Sequence, residues 1–138
     1  MPGNIPIHIL DQGIGLNELK LLEDWGKYLA TDEKSIDRNG RDKVSNKQLT
    51  TSQIRKFFGE IKRVQADFKK LSPEILLLDP KIAYAVGRVK KEGKNKLEDF
   101  YKQVSPLLRA IDQDEKKFKN FVNIIESLVA FHKAYGGN

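Results

Sequence analysis

The clearest helical pattern in the chain is residues 50–71, which read TTSQIRKFFGEIKRVQADFKKL. Its apolar residues recur at alternating spacings of three and four, which is the period of one face of an α-helix. They are Ile54, Phe57, Ile61, Val64, Phe68 and Leu71, and Phe58 broadens the stripe. Any of Thr50, Thr51 and Ser52 can cap the first turn. The stretch therefore predicts an amphipathic helix that ends near Leu71.

Helical spacing continues on both sides of this stretch, and no segment shows the sustained alternation of a strand. Further helices are predicted over residues 16–30, 81–91, 96–111 and 113–135, with a short helical turn over residues 72–78. Pro106 lies inside one of these patterns, so a kink or a break near Ser105 is expected. Residues 31–47 are polar and contain the turn dipeptide Asn39-Gly40, which predicts a mobile surface loop. The sequence thus favours an all-α fold, a single-domain bundle of about five helices over residues 1–138.

Positive charge is concentrated in the middle of the chain, whose formal net charge is +6 at pH 7. Residues 41–70 carry nine Lys/Arg against three Asp/Glu, and residues 81–96 carry six against one. Residues 1–40, by contrast, carry four against seven. One positive surface is therefore expected, and a polyanion is the usual partner of such a surface. A lysine-rich face that only keeps a heat-stable protein in solution is the simpler alternative.

The composition also excludes several classes of protein. The chain has no cysteine, which excludes disulfides, thiolate metal sites and cysteine nucleophiles and fits a reducing compartment. No apolar run approaches the ~20 residues of a membrane-spanning helix, and the first fifteen residues lack the pattern of a signal peptide. A cytoplasmic protein without membrane contact is expected.

A basic face is predicted on the helix of residues 50–71. A helix turns about 100° per residue, which places two basic rows away from the apolar stripe. These rows are Arg55, Lys62 and Lys69, and Lys56, Arg63 and Lys70. Gly59 and Ala66 lie between the rows, so the middle of the face is low and a sugar-phosphate chain could approach it closely. Solvated lysines are the alternative explanation, because charge runs are usually exposed faces.

A second face is predicted on the helix of residues 81–91, where a tyrosine lies among cations on one edge. An aromatic ring in that position can stack on a base or sugar while its neighbours neutralise phosphates. Tyr84 can equally be a boundary residue that packs its ring and leaves its hydroxyl in water. Together the two faces give nine candidate RNA-binding residues: Arg55, Lys56, Lys62, Arg63, Lys69, Lys81, Tyr84, Arg88 and Lys91.

Catalytic and metal sites are poorly supported by the sequence. His8 and His132 are the only histidines, and neither has a carboxylate at the spacing of a metal site. A packed or surface histidine is the expected role. Gly13 and Gly15 belong to no phosphate-binding glycine motif, so no nucleotide cofactor is implied. The chain is predicted to be no enzyme and to need neither metal nor cofactor.

Three stretches in order resemble the small-subunit family of the type III-A CRISPR effector, the Csm complex. They are LTTSQIR at residues 49–55, LDPKIAYAVGR at residues 78–88 and LVAFHKAY at residues 128–135. The first is similar to the family's capped start of an isoleucine-arginine helix, and the second to its proline-lysine, alanine-tyrosine and glycine-arginine pattern. The third is similar to its C-terminal helix, with phenylalanine where tyrosine is common. The resemblance covers roughly residues 46–136.

The resemblance implies a non-catalytic helical-bundle subunit, present in several copies beside guide RNA and target RNA and next to the backbone and large subunits. Carried over by position, Arg55, Lys56, Lys81 and Arg88 become the best RNA contacts. The alternative function is a helical protein-protein adaptor with no direct RNA contact. Separately, the last predicted helix is apolar over much of its circumference, so it requires either a central position or a partner. A homodimer is slightly favoured on that ground.

Overall fold

The computed structural model describes all of residues 1–138 and contains seven helices and one β-hairpin. The helices are α1 (Ile9–Gln12), α2 (Leu16–Leu29), α3 (Thr51–Ala66), α4 (Phe68–Leu71), α5 (Leu78–Lys90), α6 (Leu97–Ile111) and α7 (Glu115–Ala134). The hairpin strands are β1 (Glu33–Ile36) and β2 (Asp42–Asn46), and a 3-10 turn occupies Ser72–Glu74. The fold is therefore mostly helical, as expected, but the all-α prediction is wrong at the hairpin.

The hairpin replaces the predicted loop of residues 31–47, and its turn chemistry explains why. Asp37 Oδ1 accepts hydrogen bonds from the backbone N–H groups of Asn39 (2.8 Å) and Arg41 (2.9 Å). Gly40 has a φ of 75°, a left-handed conformation that glycine adopts without steric cost. The two strands pair antiparallel with Ile36 opposite Asp42. A side chain that bonds its own backbone in this way closes a tight turn, so an ordered hairpin forms where a mobile loop was expected.

The predicted helix of residues 50–71 begins as expected but is interrupted before its end. Thr50 accepts a hydrogen bond from the backbone of Gln53, and the Gln53 side chain bonds back to the Thr50 backbone, which completes a capping box. At Asp67 the backbone leaves the helical region (φ −142°, ψ 63°), so α3 ends at Ala66. The chain then resumes as α4, where the ring of Phe68 packs at 5.6 Å from that of Phe118. The continuous helix to Leu71 is therefore wrong.

The remaining helices differ from prediction mainly at their ends. α5 begins at Leu78, before the predicted start, because Pro80 fits the first turn, where a backbone N–H has no helical partner. α6 is continuous through Pro106, so of the predicted kink or break near Ser105 the break is wrong. Pro106 and Lys102 are both exposed, so the Lys102 carbonyl that loses its helical bond lies on the solvent side.

Helix α7 lies at the centre of the molecule, in contact with α1, α2, α3 and α6. Its buried residues are Phe118, Phe121, Val122, Ile124, Ile125, Leu128 and His132. The other helices therefore cover its broad apolar face within the chain, and that face no longer argues for a homodimer. Self-association stays a prediction. None of the helices combines the length and apolar character that crossing a membrane requires.

A buried lysine ties the hairpin to the helical body. Lys96 is 1% exposed, and its Nζ donates to the Tyr28 carbonyl (2.8 Å) and lies 3.6 Å from the Glu33 carboxylate. The same ammonium lies 3.7 Å from the centroid of the Tyr28 ring, whose hydroxyl donates to Asp99. Burial lowers the pKa of Lys96, and the carboxylates of Glu33 and Asp99 oppose that shift. One side chain thus joins α2, β1 and the start of α6.

A second buried polar cluster joins α5 to α6. Asp79 is 6% exposed and accepts hydrogen bonds from Tyr101 (2.7 Å), Arg109 (3.1 Å) and Ser105. Burial by itself would raise the pKa of Asp79, but the hydrogen bonds from Arg109, Ser105 and Tyr101 outweigh it and the pKa is lowered. The carboxylate is thus held ionised, and it fixes the first turn of α5 on α6.

Candidate nucleic-acid interface

The outward side of α3 carries the cations that the helical period predicted. Ile54, Phe57, Ile61 and Val64 are buried, whereas Arg55, Lys56 and Lys62 are exposed. None of these three cations forms an ion pair within the chain. Lys62 Nζ donates to Gln65 Oε1 at 2.9 Å and lies 5.9 Å from the centroid of the Phe58 ring. Gly59 is exposed with no neighbouring atom where a Cβ would stand, so the middle of this side is low.

The last two cations of the predicted rows lie on a different helix. Lys69 and Lys70 belong to α4, beyond the interruption at Asp67, so a spacing of seven no longer fixes their direction relative to Lys62 and Arg63. Both are exposed and free of ion pairs. They extend the positive surface past the end of α3, although not as straight rows.

Two predicted RNA contacts, Arg63 and Lys81, are engaged by carboxylates. Arg63 lies 2.7 Å from Glu74 and 3.6 Å from Glu60, and Lys81 lies 3.5 Å from the same Glu60 oxygen. The hydrogen bond that Arg63 donates to Glu74 lowers the pKa of Glu74 and raises the pKa of Arg63. Glu60 therefore holds the α3 side and the start of α5 together, and it partly neutralises both cations.

The predicted edge of α5 is exposed along its whole length. Tyr84 is 71% exposed, so it is not a boundary residue that packs its ring. The Arg88 guanidinium carbon lies 6.0 Å from the centroid of the Tyr84 ring, and Lys91 follows at the end of the helix. Arg88 and Lys91 form no ion pair. An unpacked aromatic ring is thus placed among free cations.

We call the joined surface of α3, α4 and α5 the basic face. Its cations without an ion pair are Arg55, Lys56, Lys62, Lys69, Lys70, Arg88 and Lys91. Glu60 lies where α3 meets α5. The nine predicted residues are therefore brought onto connected elements, but of their eight cations only six are without an ion pair, because Arg63 and Lys81 are engaged. Such an arrangement can neutralise phosphates and offers one ring for stacking.

Other exposed cations were missed in the sequence. Arg38 and Arg41 lie in the turn of the hairpin and Lys43 lies in β2, and none of the three forms an ion pair. The sequence contained a signal for this hairpin, the dipeptide Asn39-Gly40. Between two strands, such a dipeptide indicates a tight hairpin turn rather than a loop. Lys116 and Lys119 lie near the start of α7, and no spacing in the sequence relates them to α3.

Neither histidine lies beside a side chain with which it could form an acid-base or metal site. His8 is exposed, whereas His132 is buried and its Nε2 hydrogen-bonds to the Leu49 carbonyl. His132 is therefore a packed histidine that joins α7 to Leu49, in the segment between β2 and α3. No group of three or more His, Cys, Asp or Glu side chains is arranged to hold a metal ion.

Comparison with known proteins gives one match. The model of the Csm2 Type III-A family matches residues 30–138, which is more than half of the chain. The chain belongs to the Csm2 family. It is thus a small subunit of the type III-A CRISPR effector, the Csm complex, and the Csm2 family is not a known catalytic family. No curated protein and no solved structure matches the chain.

The Csm2 match includes the basic face and the hairpin. It begins at residue 30, immediately after α2, so α1 and α2 lie outside it. The resemblance seen in the three sequence stretches is confirmed by the family match, because all three stretches lie within residues 30–138.

Proposed function

We propose that this Csm2-family chain contacts the sugar-phosphate backbone of guide RNA and target RNA through the basic face. The observation that carries the proposal is the set of unpaired cations on three connected elements, with the exposed ring of Tyr84 among them. Cations that contact the backbone do not report base identity, so sequence specificity would come from pairing between guide and target. The chain would act in the cytoplasm as a non-catalytic subunit. One core that takes in residues from most helices supports a single domain.

The proposal is tested by the salt dependence of RNA binding, measured by fluorescence anisotropy on single-stranded and duplex RNA. The test variant is Arg55→Ala/Lys56→Ala/Arg88→Ala. Each lost phosphate contact flattens the log-log slope by ~0.7 on single strands, so the triple variant should lose about 2 in slope as well as affinity. The control is Lys20→Ala/Lys27→Ala/Lys133→Ala, which removes the same charge from α2 and α7. If both variants lose affinity and slope equally, the loss comes from the net charge of the chain rather than from the basic face, which contradicts the proposal.

A variant with increased affinity tests the same surface from the opposite direction. Glu60 is the one carboxylate that pairs with Lys81, whereas Arg63 keeps its 2.7 Å contact with Glu74, so Glu60→Gln should free one cation, Lys81, at the junction of α3 and α5. RNA affinity and salt dependence should both increase. Glu126→Gln is the matched control, because Glu126 is exposed on α7 and forms no ion pair. If Glu60→Gln binds no better than Glu126→Gln, Lys81 lies outside the RNA contact.

The adaptor alternative is supported by one specific observation. Leu76 and Leu77, two adjacent leucines just before α5, are 49% and 55% exposed. Contacts with the backbone and large subunits of the complex could use them. Leu77→Asp should then prevent co-purification with the complex while the isolated chain still binds RNA. Leu16→Asp, at a 68% exposed leucine of α2, is the control.

A further inference from the structure

An open pocket of about 430 Å³ lies where the end of α3 and α4 meet the start of α7. Its lining residues are Gln65, Phe68, Glu115, Lys116, Phe118 and Lys119. The volume falls within the range of roughly 300–1,000 Å³ that is usual for small-molecule sites. The pocket is therefore large enough for one flat heterocycle.

The pocket adjoins the basic face. Lys62 Nζ, on that face, donates to Gln65 Oε1 at 2.9 Å, and Lys69 is the next residue after Phe68. Lys116 and Lys119 are exposed on the other side and form no ion pair. An RNA strand whose phosphates lie along α3 would thus reach the pocket at the end of that helix.

The floor of the pocket is aromatic and fixed in place. Phe118 is 1% exposed, and its ring lies 5.6 Å from that of Phe68 at an interplanar angle of 35°. Phe68 itself is only partly buried, so part of its side chain faces the pocket. Bases stack readily on an aromatic ring, and this stacking tolerates any sequence because every base has a π-face.

The polar groups of the pocket fit the edge of a base better than a phosphate. Gln65 Oε1 is occupied by Lys62, while its amide nitrogen has no partner within the chain. The Glu115 carboxylate forms no ion pair and would repel a phosphate. Each base offers both N–H donors and acceptor atoms on its edges, which complement a carboxylate and an amide nitrogen.

We infer that this pocket accepts one unstacked nucleobase of an RNA strand whose phosphates are held by the basic face. The inference rests on the proposed function, and it adds a contact with a base to the contacts with phosphates. Phe68 stacks on the base, Gln65 and Glu115 meet its edge, and Lys116 and Lys119 approach the neighbouring phosphates. Because stacking carries the contact, all four bases enter the pocket.

The test compares single-stranded oligouridylate with an abasic strand of equal length and equal phosphate number, by fluorescence anisotropy on the full chain. The test variant is Phe68→Leu, which keeps apolar contact with Phe118 and removes the stacking surface. It should bind oligouridylate about tenfold more weakly than the wild type, with an unchanged salt slope. Its preference for the intact strand over the abasic strand should fall by the same factor, and the exposed ring of Tyr84 accounts for any preference that is left. Phe58→Leu, at a partly buried ring beside Lys62, is the matched control and should keep that preference.

The outcomes separate this inference from the proposed function. Wild type that binds with a steep salt slope, together with Phe68→Leu that binds equally well, overturns the pocket and leaves the basic face intact. A wild type that binds intact and abasic strands equally has the same meaning. If the wild type binds neither strand, the basic face and the pocket both fail. Circular dichroism of Phe68→Leu identifies a folding defect, in which case Gln65→Ala replaces it, with a reduced preference for the intact strand expected.

Discussion

Replacement of Gly26 by alanine should destabilise the protein, although alanine favours helices. Gly26 lies in α2, where a Cβ would stand 3.0 Å from two main-chain atoms of α7, the Phe131 carbonyl carbon and the His132 nitrogen, and closer still to the Phe131 Cβ. Carbon atoms pack best at roughly 3.5–4.0 Å. Main-chain atoms cannot rotate away as a flexible side chain can, so α2 and α7 must separate.

The magnitude follows from two opposing contributions. Overpacking of a well-packed core costs about 1–3 kcal/mol, and the upper end applies here because the obstruction is backbone. Alanine returns about 1 kcal/mol relative to glycine inside a helix. The free energy of unfolding should therefore fall by about 2 kcal/mol in Gly26→Ala. Urea denaturation followed by circular dichroism measures this change directly.

Gly59→Ala is the matched control for this prediction. Gly59 lies inside α3, is exposed and has no atom within 4 Å of the position of a Cβ. Only the propensity contribution remains, so this variant should gain about 1 kcal/mol. The two glycine variants should therefore move in opposite directions. If Gly26→Ala is as stable as the wild type or more so, α2 and α7 do not approach as closely as the structure shows.

Three further predictions concern single side chains. Thr50→Ala should lose about 1 kcal/mol in urea denaturation, because it removes half of the capping box of α3. Asp79→Asn should lose about 2–3 kcal/mol at pH 7, because three donors lose a buried carboxylate. The lowered pKa of Asp79 stabilises the fold above the unfolded pKa of about 4, and that contribution is lost as pH falls through the folded pKa. The difference between wild type and Asp79→Asn should accordingly shrink in acid, and a constant difference would contradict this assignment. Lys96→Ala should cost about 3 kcal/mol and speed amide hydrogen exchange in the hairpin more than in α7, because removal of the buried side chain leaves a cavity, the Tyr28 carbonyl loses its donor and the contact with Glu33 is lost. Equal acceleration in both elements would show that Lys96 does not anchor the hairpin.

The helices were predictable because their signals are local. Apolar spacing placed α2, α3, α5, α6 and α7, and the capping residues before α3 were recognised as such. The interruption at Asp67 was not predictable, because the apolar period continues through it to Leu71. There the packing of Phe68 on Phe118 replaces a continued helix, and that contact joins residues far apart in sequence.

The hairpin was missed although its signal was present. Residues 31–47 are mostly charged, and high polarity without helical period was interpreted as a loop. The turn at Asn39-Gly40 is local, but the strands also depend on Lys96, which contacts Glu33 from the start of α6. A lysine in a basic stretch gives no indication that it will be buried.

The sequence predicted which side of each helix carries the candidate cations, but not which of those cations pair with carboxylates. The 100° turn per residue, about the same in every α-helix, fixed which side of α3 and α5 carries the cations. The pairing of Arg63 with Glu74 and of Lys81 with Glu60 could not be inferred, because it depends on how α3 lies beside the 3-10 turn and the start of α5. The pocket between α3 and α7 has the same origin, since its two sides come from separate parts of the chain.

The sequence by itself determined the helical character of this protein, the side of each helix that faces the core and the concentration of positive charge in its middle. These properties follow from residue spacing and composition, which act over one or two helical turns. The tertiary structure alone decided that α7 is central, that Lys96 is buried, and which cations stay unpaired. Those properties depend on contacts between distant residues, and the period of a single helix carries no information about its neighbours.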